Sequence, residues 1–165
     1  MIEIKNLHKK FDDKIALNGI NLKIKQGSVL GILGPNGSGK TTLIKSILNI
    51  VIPDCGTIKI MGSKTLNNSN YLKNIGYLSQ SAEFPQNLKV YQLFELMKSI
   101  RSQQNDQKYF IEMFKLNEFL HKKLNSLSGG TKQKINISLA FLFNPQIIIL
   151  DEPTSGLDPI SLIHL

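Results

Sequence analysis

Residues 34–42 read Gly-Pro-Asn-Gly-Ser-Gly-Lys-Thr-Thr. This stretch fits the pattern G-x-x-x-x-G-K-[ST] of a phosphate-cradling loop. Gly34, Gly37 and Gly39 can take backbone angles closed to other residues and keep side chains out of the way. Successive N–H groups can then turn inward as an anion nest. Lys40 would reach the terminal phosphates and the Thr41 hydroxyl would sit on Mg²⁺, with Pro35, Asn36, Ser38 and Thr42 completing the loop and its exit. Upstream, Ser28-Val29-Leu30-Gly31-Ile32-Leu33 reads as a short buried parallel strand. Downstream, Leu43, Ile44, Ile47 and Leu48 recur at helical spacing across 40–50. Strand, loop and helix in that order aim a helix dipole at the phosphates. A glycine-rich turn that binds nothing is the plainer reading, and this context argues against it.

A second stretch supplies acids. Ile147-Ile148-Ile149-Leu150 is a wholly apolar run, and Asp151 and Glu152 follow it. In open α/β sheets ligands lie off the carboxyl ends of strands, so this pair and the glycine loop are expected to face one crevice. Asp151 suits holding Mg²⁺ through water, and Glu152 suits orienting and deprotonating an attacking water. Alone, the acids could equally cap a following helix.

Leu127-Ser128-Gly129-Gly130-Thr131 is the third element. A serine and two glycines before a helix leave a hydroxyl and free N–H groups at a positive dipole end, which is a second anion site. The plain alternative makes Ser128 only an N-cap. Two phosphate-seeking helix ends in one chain suggest that the second completes the site of a partner subunit.

The 165 residues have the size of one domain, and 41% hydrophobic with 19% charged residues describes a globular rather than a disordered chain. The one cysteine, Cys55, excludes an internal disulfide. No apolar run approaches the roughly 20 residues needed to cross a bilayer, and the start lacks a signal peptide's hydrophobic block. Net charge is +8. The lysines are scattered and the one arginine, Arg101, has no aromatic cluster beside it, so a solvated surface is expected rather than a nucleic-acid site.

The remaining chain reads as an α/β pattern with a helical interruption. Ile2 and Ile4, then Ile20, Leu22 and Ile24, keep a period of two, with Asp12-Asp13 and Gln26-Gly27 as turns. Pro53-Asp54-Cys55-Gly56 is another turn, leading into a strand over 57–61, and Ile75-Gly76-Tyr77-Leu78 reads as a buried strand ending at Ser79-Gln80. Apolar residues at 90, 93, 97 and 100 then switch to helical spacing, so residues from about 85 to 128 form a helical insert. Phe84 and Tyr91, near Gln80, are the aromatics considered for a partner contact. Ile135, Leu139 and Leu142 mark a later helix ended by Asn144-Pro145.

Taken together these motifs resemble the nucleotide-binding domain of ABC (ATP-binding cassette) ATPases over essentially the whole length. GPNGSGKTT resembles the Walker A motif, Gln80 in YLSQ the Q-loop, LSGGT the family signature and IIILDEP the Walker B strand with its glutamate. Ser155-Gly156-Leu157-Asp158 resembles the D-loop, and Phe11 stands where the family places a ring against adenine. The resemblance implies a single P-loop NTPase (RecA-like) domain with an N-terminal antiparallel β subdomain and the helical insert. It implies a head-to-tail dimer enclosing two ATP molecules, each between Walker A of one subunit and Ser128 and Gly130 of the other. Gln80 would contact Mg²⁺ and the γ-phosphate region.

The resemblance further implies an ATPase subunit at the inner, cytoplasmic face of the cell membrane, peripheral to it through an integral membrane partner. Thr131 replaces the family's usual glutamine, and LSGGT followed by Lys-Gln-Lys resembles subunits of two-component exporters. The family also carries a histidine well beyond the Walker B glutamate, preceded by a strand between the Walker A and Walker B strands. His164 follows Glu152 too closely to be that residue. The chain is therefore expected to be incomplete at its C-terminus and poorly active by itself. The rival reading is a soluble ABC ATPase of the translation or DNA-repair type, which a second Walker A or a basic linker in the full sequence would favour.

Overall fold

The computed structural model describes residues 1–66, 68–81, 83–101 and 106–153. The chain divides into two compact units, residues 1–73 and 74–165. Ser155, Gly156, Leu157, Asp158 and His164, named above, lie outside the described residues.

The first unit is built on an antiparallel sheet. Strand β1 (Ile2–Phe11) pairs with β2 (Lys14–Ile24) on one side and with β3 (Cys55–Ile60) on the other, and β4 (Ser63–Lys64) adds the edge, giving the order β2-β1-β3-β4. Alternation decides which face is covered: Ile2, Ile4, Leu7, Leu17, Ile58 and Ile60 are buried. The expected turn at 12–13 is tight, with Asp12 at φ 49, a left-handed angle that Asp tolerates. Helix α1 (Lys40–Ile47) buries Leu43, Ile44 and Ile47, the residues whose spacing predicts it. It is shorter than the pattern over 40–50 suggests, because Asn49 turns left-handed at φ 58 and ends it. The Tyr71 hydroxyl donates to the Ile47 carbonyl at 3.0 Å, satisfying one carbonyl at that helix end.

The expected strand over 28–33 is corrected by the structure. Those residues form no strand, and Val29 and Leu33 are 100% and 95% exposed. An apolar run becomes a parallel strand only where neighbours supply both ladder partners and covering layers. No strand among the described residues pairs with this one.

The second unit carries a parallel pair, β5 (Ile75–Leu78) and β6 (Ile147–Leu150), in register from Ile75 opposite Ile147 to Leu78 opposite Leu150. Helices α2 (Val90–Arg101), α3 (Gln107–Met113) and α4 (Gly129–Phe141) surround a core of Leu78, Val90, Phe94, Leu116, Leu124 and Ile135. Gly76 lets α4 come close, since a Cβ there would run into the Ala140 carbonyl. Phe84 packs against this core, so it is a structural ring first, while Tyr91 stays exposed and lies 5.5 Å from the His121 ring. Strand β6 is only half-buried, less covered than its apolar sequence predicts.

Candidate functional site

The glycine loop enters α1 with Gly39 at φ 93 as its N-cap. A side chain on Gly39 would strike the Ala16 carbonyl, and one on Gly34 would come within 2.7 Å of Ser38 Oγ. Gly37 has φ 80, and the Ser38 N–H donates to the Pro35 carbonyl at 3.2 Å, closing the turn around Asn36. Lys40 Nζ folds back on this loop, donating to the Gly34 and Pro35 carbonyls at 2.7 and 2.9 Å. A cationic side chain thus lies along a backbone cradle at the start of a helix, the arrangement that binds anions. Thr41 and Thr42 lie in the first turn of α1, and the Thr42 carbonyl accepts from Ser46 Oγ at 2.8 Å. At the end of β1, Phe11 is 44% exposed, with Lys9 Nζ 5.3 Å from its ring centroid.

In the second unit, three sequence-predicted residues follow the paired strands. The Asp151 N–H donates to the Leu78 carbonyl at 2.9 Å, continuing the β5–β6 ladder by one step. That step draws Asp151 inward to 6% exposure, and its charge, after burial itself, helps push the Tyr77 phenol up. Glu152 then leaves the ladder at φ 51, a left-handed angle that costs a non-glycine residue about 1–2 kcal/mol. The turn puts its carboxylate at the surface, where Oε2 accepts from Gln80 Nε2 at 2.7 Å. Gln80 and Glu152 are therefore brought together by the parallel pairing.

Ser128 caps α4: its Oγ accepts from the Thr131 N–H at 3.2 Å and lies 2.9 Å from Thr131 Oγ1. The capping alternative accounts for the hydroxyl in this conformation, and Gly130 lies in the helix's first turn. One residue escaped the sequence reading. Asn136, buried on α4, donates through Nδ2 to the Ser79 carbonyl at 3.0 Å, directly before Gln80. Its signal was a polar side chain between the apolar Ile135 and Ile137, a mismatch with an otherwise core-forming segment.

Similarity to known proteins converges on one family. The profile of the ABC transporter family matches residues 17–155. Nod factor export ATP-binding protein I of Burkholderia lata is 34% identical, covering 96% of this chain and 54% of its own length. The zinc uptake system ATP-binding protein of Listeria innocua is 32% identical, covering 96% and 66%. A solved ATP-binding subunit of an ABC transporter superposes with a TM-score of 0.89 at 26% identity, over 98% of this chain and 70% of that one. A dimeric ATP-binding cassette in a post-hydrolysis state, bound to ADP and phosphate, gives 0.84 at 31% identity, over 96% and 77%. The chain thus spans about half of the first of these curated relatives and about two thirds of the second.

Proposed function

The chain belongs to the ABC transporter family, and from that premise we propose that it binds and hydrolyses ATP to drive a transporter. The observation that carries the proposal is the meeting of Gln80 and Glu152 at 2.7 Å, one residue past the buried Asp151. An acid that ends a ladder, followed by an exposed carboxylate held by a neutral amide, suits water activation beside a cation.

Mg²⁺ suits the chemistry of the residues assigned to it from the sequence, each taken by itself. Thr41 offers a hydroxyl, Asp151 a carboxylate and Gln80 an amide oxygen, since its nitrogen is the atom committed to Glu152. All are hard oxygen donors. Mg²⁺ keeps several waters and substrate phosphate oxygens among its ligands, so a few protein oxygen donors suffice. When bound, that ion neutralises phosphate charge. Lys40, freed from the Gly34 and Pro35 carbonyls, would take the terminal phosphates, while the backbone of residues 34–39 cradles the rest. The exposed Phe11 ring would stack on the base. Glu152 would orient a water and accept its proton.

The same reading assigns Ser128 and Gly130 to the nucleotide held by a second copy in a head-to-tail homodimer. The solved dimeric cassette among the similar structures supports it. No helix among the described residues is long and apolar enough to cross a membrane. Coupling to transport would run through a membrane subunit docking near Gln80, Phe84 and Tyr91 at the cytoplasmic face. Curated relatives named for export and uptake support a transport role.

The test is Glu152→Gln in the complete protein. Phosphate release should fall by at least about a hundredfold while ATP still binds. Turnover that survives the substitution would remove Glu152 as the base and the hydrolysis reading with it.

A further inference from the structure

We propose that Asn136 is a positioning residue for hydrolysis: its amide holds the Ser79 carbonyl and thereby sets Gln80 against Glu152. The inference rests on the ATPase reading above.

Asn136 is 7% exposed and sits between Ile135 and Ile137, which are buried almost completely. A buried amide in such company needs partners. Nδ2 finds the Ser79 carbonyl at 3.0 Å and Gln133 Oε1 at 3.4 Å. The Ser79 carbonyl can only accept, so the nitrogen rather than the oxygen of Asn136 faces it. Ser79 Oγ, 3.5 Å from the same nitrogen, donates to the Ser81 carbonyl at 2.7 Å. The backbone on both sides of Gln80 is therefore tied down, on one side by Asn136 and on the other by Ser79 itself.

Glu152 is anchored from the opposite direction. The Leu78–Leu150 pairing and the Asp151 to Leu78 bond fix where β6 ends. Two sets of anchors thus converge on the Gln80–Glu152 contact, one from the strand ladder and one from α4. Ser128 caps that same helix, roughly 12 Å along its axis from Asn136.

A purely structural role makes a different forecast. If Asn136 only satisfies a buried carbonyl, its removal harms the protein equally whether or not Gln80 is present. The experiment is a double-mutant cycle on the complete protein, with Asn136→Ala and Gln80→Ala singly and together. Alanine suits a helix interior, which favours folding. Asn136→Ala alone should lower kcat about tenfold or more, with KM for ATP changed less than about twofold. In the Gln80→Ala background it should lower kcat no further. An equal fall in both backgrounds, or an unchanged kcat in the single variant, overturns the proposal. Should the alanine variant not purify folded, Asn136→Ser, whose shorter side chain cannot reach Ser79, enters the same cycle under the same two criteria. Glu152→Gln runs alongside. Turnover surviving there sinks the ATPase reading and the inference together, whereas lost turnover with an additive cycle sinks the inference alone.

Discussion

Gln80 donates its amide N–H to the Glu152 carboxylate across 2.7 Å, although 72 positions separate the two in sequence. The contact exists because β5 and β6 run parallel and end level, at Leu78 and Leu150. Each residue then lies two steps past its strand end, and the left-handed turn at Glu152 swings the carboxylate outward to the amide. A neutral donor orients the acid without neutralising it, and leaves the Gln80 amide oxygen available to a cation.

Lys40 contributes through its charge and reach. Its present partners are two carbonyls of its own loop, which any phosphate would outcompete electrostatically. Lys40→Ala should weaken nucleotide binding by at least about tenfold, read by titration with a fluorescent ATP analogue. Thermal melting without nucleotide should move little, because a partly exposed side chain bonded to carbonyls carries little net stability.

Ser128 has two separable jobs. As the N-cap of α4 it satisfies the Thr131 N–H, so Ser128→Ala should cost about 1 kcal/mol in denaturant unfolding. Ser128→Asp keeps a capping oxygen and should unfold close to the natural protein. Its added negative charge would repel a partner's triphosphate, so ATP-dependent dimerisation in the complete protein, measured by light scattering, should be lost.

Gly76 marks where α4 and β5 come closest. Gly76→Ala would force a methyl group into the Ala140 carbonyl and against Pro145, and should destabilise by roughly 1–3 kcal/mol. Gly129 meets nothing within 4 Å, so Gly129→Ala should leave the melting temperature unchanged or raise it. Finding the reverse order by calorimetry would contradict the packing of α4 on β5.

Asp54 gives the first unit an acid-sensitive tie. The Lys9 ammonium at 2.8 Å, then the Lys10 N–H at 2.7 Å, hold its carboxyl below the usual carboxylate range. A lowered folded value means the tie stabilises at and above the ordinary range, and is lost as pH falls through the folded value. Natural protein and Asp54→Asn should therefore differ slightly in melting temperature at neutral pH and converge in acid. The group is exposed, so the difference should also shrink with added salt.

Much of this protein is written in local pattern. The glycines at 34, 37 and 39, the helical spacing of Leu43, Ile44 and Ile47, the alternation in β1 and β2, and the apolar run before Asp151 each declare an element within a few residues. Steric freedom, side-chain period and helix capping act over such distances, so one stretch of chain is enough to read them. The outcome at 28–33 depended on something else. An apolar run there is a strand only if other strands lie beside it, and the structure leaves Val29 and Leu33 exposed. Likewise, Gln80 and Glu152 could be nominated one by one, but only the parallel register of β5 and β6 makes them partners. Asn136 was visible only as a polar residue out of place until α4 set it against Ser79. Pairing and burial are decided by residues distant in the chain, and that choice belongs to the tertiary structure.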